Sequence, residues 1–319
     1  MKAKGYIYII FLIITSIIMI SISYIFSSLE NEIDIYRNEA NLIQSELYAE
    51  SVINIILSDR EKLYDFCKKI YNKNNVIVTL NENLYNLEEI SDLDLSLKLD
   101  DSYEEDGFLL QCNLDYKGVK SSCYGKGTIV NSIYSRGANV LNSETINKTE
   151  MEKLEDELEN LKSYYNNTIN VIELDFETYY MEKQDDKLYI YSESFDGNGE
   201  IIKNIVYESL IVNTIFINQE EGNIVIEDEM ELNGVFNFDK VFLHENLSVN
   251  GAVIINGDVE YIDVKKLLKV SGILINLKGI NENNIETFYN FDILKKHSNY
   301  IPGFFDIKVR AIQKSKVKI

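Results

Sequence analysis

Tyr6-Ile-Tyr-Ile-Ile-Phe-Leu-Ile-Ile-Thr-Ser-Ile-Ile-Met-Ile-Ser-Ile-Ser-Tyr-Ile-Phe26 is a run of 21 residues without a charge. A helix needs roughly 20 apolar residues to cross the hydrocarbon layer of a bilayer. At that depth every main-chain amide must be satisfied inside the segment, so helix is the single-segment solution. Lys2 and Lys4 precede the run, whereas Glu30, Glu32 and Asp34 follow it before any basic residue appears. The asymmetry predicts one pass through the cell membrane, with the N-terminus cytoplasmic and the C-terminal region extracellular. A cleaved signal peptide is the competing reading. Its apolar core would be ~7–15 residues and end in small residues; this run is longer, and Ser27-Ser28 is a poor match.

The polar continuation is also helical in pattern. Ile33, Tyr36, Ala40, Ile43 and Leu47 recur at three and four residues, which lines one helix face. Neither Pro nor Gly occurs between Tyr6 and Asn72, so nothing forces a break. The expectation is one rod: a basic leader at 1–5, a transmembrane helix at 6–26 and an amphipathic extension at 27–72. Its apolar stripe needs a partner.

A short basic leader ending in Lys4-Gly5, an uninterrupted apolar helix and an amphipathic extension together resemble a type IV pilin-like precursor. Ala40-Asn-Leu-Ile-Gln-Ser-Glu-Leu-Tyr-Ala-Glu-Ser-Val-Ile-Asn54 resembles the corresponding segment of PilX-type minor pilins. The resemblance covers about the first 60 residues. It implies cleavage by a prepilin peptidase between Gly5 and Tyr6, and lateral packing of the helix against other pilin-like subunits. Two positions depart from the family: Tyr6 stands where Phe or Met usually begins the mature chain, and Ile10 where major pilins carry Glu. That Glu neutralises a neighbour's terminal ammonium in lipid, where an unpaired charge is costly. Its absence implies a priming or tip role.

Beyond the rod, roughly 250 residues remain, enough for one large or two small domains. Of the 319 residues 45% are hydrophobic, which supports a packed core. The formal net charge is −21, which excludes nucleic acid as a partner because its phosphates would be repelled. Twenty-two Tyr and 14 Phe with no Trp suit strands. Pro302 is the one proline, so turns must be built from Asn, Asp and Gly.

From residue 73 to 218 the pattern is β-rich. Val76, Val78 and Leu80 alternate, as do Leu93, Leu95, Leu97 and Leu99. Phe108 to Tyr124 reads as a hairpin about Lys117-Gly118. That loop sets Cys112 opposite Cys123, within disulfide reach but in the wider, hydrogen-bonded type of pair. The two are either bridged, which an extracellular setting favours, or reduced on adjacent strands. Cys67 reads as a packing residue of the rod. One helix is expected at about 143–165, with a capping box at Thr149-Glu-Met-Glu152 and a stripe of Met151, Leu154, Leu158 and Leu161. Strands follow from Asn170, with a hairpin turn at Asp196-Gly-Asn-Gly199.

Residues 219–319 repeat. Glu229-Met-Glu-Leu-Asn-Gly234, Asn246-Leu-Ser-Val-Asn-Gly251 and Leu267-Leu-Lys-Val-Ser-Gly272 share one form, each running into an apolar strand. The glycines are 17 and 21 residues apart, close to one coil of a β-solenoid. The stretch resembles polymer-forming β-helix repeats. An antiparallel meander with recurring Asn-Gly turns is the other reading. A last strand is expected over Tyr300 to Ile312, before a basic tail of Lys314, Lys316 and Lys318.

No catalytic constellation emerges. His244 and His297 are the only histidines, so no histidine-based zinc spacing exists. Asp92-Leu-Asp-Leu-Ser96 begins like a calcium loop but has Leu97 where Gly is required. There is no Gly-rich phosphate loop and no Gly-x-Ser-x-Gly elbow. The expectation is a non-enzymatic α+β chain without cofactor or metal, its long N-terminal helix followed by an extracellular β-rich region. Its partners are a lipid bilayer and other pilin-like subunits; the alternative is a static, membrane-anchored binding or adhesion protein.

Overall fold

The computed structural model describes residues 3–72, 78–79, 90–100, 106–165, 171–175, 177–219, 221–261, 265–279 and 284–314, with backbone alone at 3–5, 72, 78–79 and 159–165. In chain order α1 covers Ala3–Ser58, α2 Arg60–Asn72, β1 Val78–Thr79, β2 Ile90–Asp100, β3 Gly107–Tyr116, β4 Val119–Val130, α3 Ser132–Ser135 and β5 Val140–Leu141. Next come α4 at Lys148–Tyr165, β6 at Val171–Leu174, β7 at Thr178–Gln184, β8 at Lys187–Phe195, β9 at Ile201–Leu210, β10 at Thr214–Gln219 and β11 at Asn223–Ile226. The chain finishes with β12 at Met230–Phe238, β13 at Lys240–Leu243, β14 at Leu247–Ile255, β15 at Val259–Tyr261, β16 at Leu268–Asn276, β17 at Ile285–Tyr289, α5 at Phe291–His297 and β18 at Phe305–Lys314. Two compact units result, both discontinuous in sequence. One comprises Met1–Leu99, Phe108–Gly127 and Val309–Ile319, the other Asp100–Gly107 and Thr128–Lys308.

The long apolar helix is present, but the rod is not continuous to Asn72. Asp59 interrupts it, and the cause is local. Its backbone N–H still donates to the Ile55 carbonyl, while its carboxylate accepts from the Lys62 N–H at 3.3 Å and its carbonyl from the Leu63 N–H at 3.0 Å. Asp59 therefore caps a new helix instead of continuing the old one, a role its short carboxylate favours.

In the first unit the sheet order is β1-β2-β3-β4-β18. Phe108, Leu110, Cys112, Leu114 and Tyr116 alternate along β3 and are all buried, which is the period-two rule for a sheet with one covered face. The hairpin turn lies where expected: Lys117 and Gly118 both have positive φ, 51° and 81°, the mirror-image turn that matches strand twist. The pair read as strand at Val76 and Leu80 lies outside the described residues; Val78–Thr79 pairs antiparallel with Leu97 and Ser96.

The second unit holds a β-solenoid-like stack of about four turns. One sheet runs β17-β16-β14-β12-β10-β6, with β5 also pairing β16, and the other runs β15-β13-β11-β7-β8-β9. Pairings down the stack are parallel, except that β7, β8 and β9 are antiparallel. Ile215, Leu232, Val249 and Val270 from one sheet and Met181, Ile224, Val241 and Leu243 from the other form the core. The coil thus starts at Val171, well before the glycine repeat.

The repeated glycines are not turns. Gly234, Gly251 and Gly272 sit inside β12, β14 and β16 and stack in register, with Ile215 opposite Gly234. Their φ values, 146°, 159° and 144°, are closed to other residues, and a Cβ on Gly251 would lie 1.6 Å from the Gly234 carbonyl oxygen. The burial of each strand changes there. Before the glycine only alternate residues are buried; after it every residue is. Asparagines of successive rungs form a ladder: half-buried Asn256, just past β14, donates to buried Asn237 at 2.7 Å, Asn237 to buried Asn218 at 2.6 Å, and Asn218 to Glu173 at 3.0 Å. Such a chain satisfies polar groups that would be costly to bury alone. On the outer side Phe216 stacks on Tyr300 with ring centroids 3.5 Å apart, and Leu294 of α5 and Phe304 are fully buried.

Two local expectations are corrected. The capping box of α4 is Asn147 with Glu150, whose side chains and backbone N–H groups bond reciprocally at 2.9 and 3.1 Å; Asn147, two residues before Thr149 and immediately ahead of the helix, takes the capping role. The final strand begins at Phe305 rather than Tyr300 because a turn of 3-10 helix, Ser298–Tyr300, and Pro302 come first.

Candidate functional site

The feature with functional content is α1. It is the one described helix long and apolar enough to cross a membrane. At ~1.5 Å per residue the 21-residue apolar run is roughly 30 Å long. Its side chains from Tyr6 to Phe26 are almost all exposed. Three hydroxyls within it bond back to the helix itself: Thr15 donates to the Phe11 carbonyl at 2.9 Å, Ser16 to Leu12 at 2.8 Å and Ser21 to Ile17 at 2.9 Å. Those three hydroxyls therefore need no water at bilayer depth.

Further along, the helix has two working faces. Ser45, Ala49, Val52, Ile53, Ile56 and Leu57 are buried against the unit's own sheet. Ser45 and Ser121 hydroxyls meet at 2.7 Å, and Ser45 also donates to the Val119 carbonyl at 3.2 Å. Tyr48 packs edge-on to Tyr116 with centroids 5.4 Å apart. Gly125 lets the helix approach: a Cβ there would stand 3.0 Å from Leu57 Cδ1 and 3.2 Å from Ile53 Cγ2. Lys314 of β18 pairs with Glu50 at 3.0 Å and Glu46 at 3.9 Å.

The stripe singled out from sequence is not this face. Ile33, Tyr36, Ala40, Ile43 and Leu47 are all exposed, Tyr36 at 68% and Ile43 at 60%. With about 3.6 residues per turn, the stripe and the sheet-facing set point to nearly opposite sides. The sequence reading found the stripe and missed the second face, because Ser45 and Ala49 carry little apolar weight. The signal was their i, i+4 spacing with Ile53 and Leu57.

No protein-family model, curated protein or solved structure matches this chain.

Gly5 lies within the first turns of α1, Tyr6 is exposed, and Met1 and Lys2 lie outside the described residues. Cys112 and Cys123 are free thiols, both buried, as is Cys67. Burial pushes the Cys112 thiol up to about 12, and it raises Cys123 and Cys67 too. A facing pair of the wider type, sealed beneath a helix, is poorly placed for oxidation. His244 Nδ1 lies 3.2 Å from Glu227, and His297 is buried beside Phe216, so both are parts of the packing. The Asp196 carboxylate accepts the N–H groups of Asn198 and Glu200, each at 2.8 Å, and so fixes its own turn. Among the described residues no three His, Cys, Asp or Glu side chains gather as metal ligands. Lys316 and Lys318 of the basic tail lie outside the described residues.

Proposed function

We propose that the chain is a minor, pilin-like subunit of a type IV pilus-type filament or a related secretion or uptake machine. Its apolar run is held in the cell membrane until assembly, with the N-terminus cytoplasmic and the β-rich units extracellular. The observation that carries this reading is the two-sided helix. One side is consumed by the chain's own sheet, while the opposite side keeps an unpartnered apolar stripe that continues from the membrane-length run. Moving such a rod out of lipid exposes it to water at about 25 cal/mol per Å² of apolar surface. Only helix-to-helix packing with like subunits offsets that cost. The resemblance of the leader and of Ala40 to Asn54 to PilX-type precursors supports the same reading.

Ile10 supports a priming or tip position, since a subunit without a carboxylate there cannot neutralise a neighbour's terminal ammonium. Ile10 is also what a static anchor for a surface binding protein would carry, and that is the second reading. Shearing cells separates the two. A filament subunit enters the sheared fraction and stays in the membrane when prepilin peptidase is deleted; a static anchor stays in the membrane in both strains.

A further inference from the structure

Strand β9 ends the second sheet of the solenoid unit. Among the described residues only β8 pairs with it, so the main chain of its other edge is open. Exposed edges are normally blunted by brevity, proline, charged side chains or bulges; β9 has Lys203, Glu208 and a bulge, but it is not short. This one is ten residues long, and Ile201, Ile202, Ile205, Val206 and Leu210 are all exposed, with Phe195 of β8 exposed beside them.

The register shows which residues share a face. Ile201, Lys203, Ile205, Glu208 and Leu210 oppose Phe195, Glu193, Tyr191, Tyr189 and Lys187 of β8. Those β8 positions alternate, so all five β9 residues lie on the face opposite buried Leu188 and Ile190. The strand changes parity midway because Val206 is an extra residue, a bulge at the shift between Ile190 and Tyr191. Without that bulge Ile201 and Leu210 would point to opposite faces.

We propose that β9 pairs antiparallel with β9 of a second copy of this chain, about a twofold axis normal to the sheet between Ile205 and Val206. In that register Ile201 faces Leu210, Ile202 faces Ser209, Lys203 faces Glu208, Asn204 faces Tyr207 and Ile205 faces Val206. The bulge puts both members of each of the first four pairs on the same face, as antiparallel pairing requires. The Lys203–Glu208 contact occurs twice, at the ~4.5–5.5 Å Cβ spacing of directly facing residues. Lys203 already holds Glu182 at 2.5 Å, and Glu208 holds Lys187, so both charges are oriented on this face before a partner arrives. A slip of one residue sends the aliphatics to the wrong face. A slip of two sets Lys203 against Val206 or Leu210, and Glu208 against Ile201 or Ile205. The strand therefore specifies one closed, isologous register. This inference is independent of the filament reading.

The test uses the full chain in detergent micelles carrying Ile205→Cys, which brings two thiols together at the axis; Asn198→Cys in the β8–β9 turn is the control. Oxidation is expected to link Ile205→Cys chains into dimers and to leave Asn198→Cys chains single. Adding Lys203→Glu or Glu208→Lys sets like charges opposite each other twice and lowers the yield roughly tenfold. Mixing the two reversed chains restores it, because the mixed pair has every charge opposite its complement while each chain's internal contacts stay as they were. Equal cross-linking at 205 and 198, insensitivity to either reversal, or failure of mixing to restore the dimer would each overturn the proposal.

Discussion

Replacing Gly251 by Ala probes the stack at its tightest point. The new Cβ would lie 1.6 Å from the Gly234 carbonyl oxygen and 2.7 Å from its carbon, and φ at Gly251 is 159°. Neither neighbour is a flexible side chain that can swing away; both are main chain held in the parallel ladder between β12 and β14. Relief requires β14 to leave its φ region, which costs about 1–3 kcal/mol, and to part from β12, which costs about 1 kcal/mol for each ladder hydrogen bond lost. The total is about 3–4 kcal/mol, a large share of the roughly 5–15 kcal/mol that holds a domain together. For a unit of this size each kcal/mol moves the midpoint by about 2–4 °C, so the melt should fall by about 10 °C. Far-UV circular dichroism of the full chain in detergent reads it. Gly197→Ala is the control, because nothing lies within 4 Å of a Cβ there. A Gly251→Ala melt within 2 °C of the Gly197→Ala melt would refute the stacked-glycine geometry.

Ile53→Ala should destabilise the first unit by about 2–5 kcal/mol in denaturant unfolding, since Ile53 is fully buried between α1 and the sheet; Ile43→Ala on the exposed stripe should change the unfolding free energy by less than about 0.5 kcal/mol. Equal effects would mean the two faces were assigned wrongly. All three thiols should resist alkylation at pH 8 in the native protein and react on unfolding, because burial raises each; a thiol count below three after unfolding would reveal a Cys112–Cys123 bridge. Burial lowers the His297 pKa from 6.5 to about 4, so the unfolded chain takes up a proton that the folded one refuses. Its contribution is whole above about pH 6.5 and is lost as pH falls toward 4. His297→Gln should flatten the melting temperature over that window, and an unchanged slope would show that other groups set it.

The rod was legible because charge, length and the absence of Pro and Gly all agree from Tyr6 onward. Its stop at Asp59 was not, since one capping carboxylate carries no periodic signal. The solenoid announced itself only where Gly234, Gly251 and Gly272 repeat; the earlier turns have Ile215 in the equivalent position and so look like ordinary strands. The turn-like look of those glycines, which left the meander reading open, arises because the carbonyl that excludes a side chain belongs to the neighbouring rung. The return of β18 to a sheet begun by β1 and β2 is a pairing across most of the chain, invisible to local pattern. At the candidate site, Ile33 to Leu47 stood out by hydropathy, whereas Ser45, Ala49 and Gly125 matter through their small size, which hydropathy does not register.

The account rests on α1 being released from lipid into an assembly, and the mass of the N-terminal peptide recovered from the native host tests that most directly. A mature chain that starts at Tyr6 is the predicted result, whereas a chain that retains Met1 through Gly5 on every molecule would contradict it.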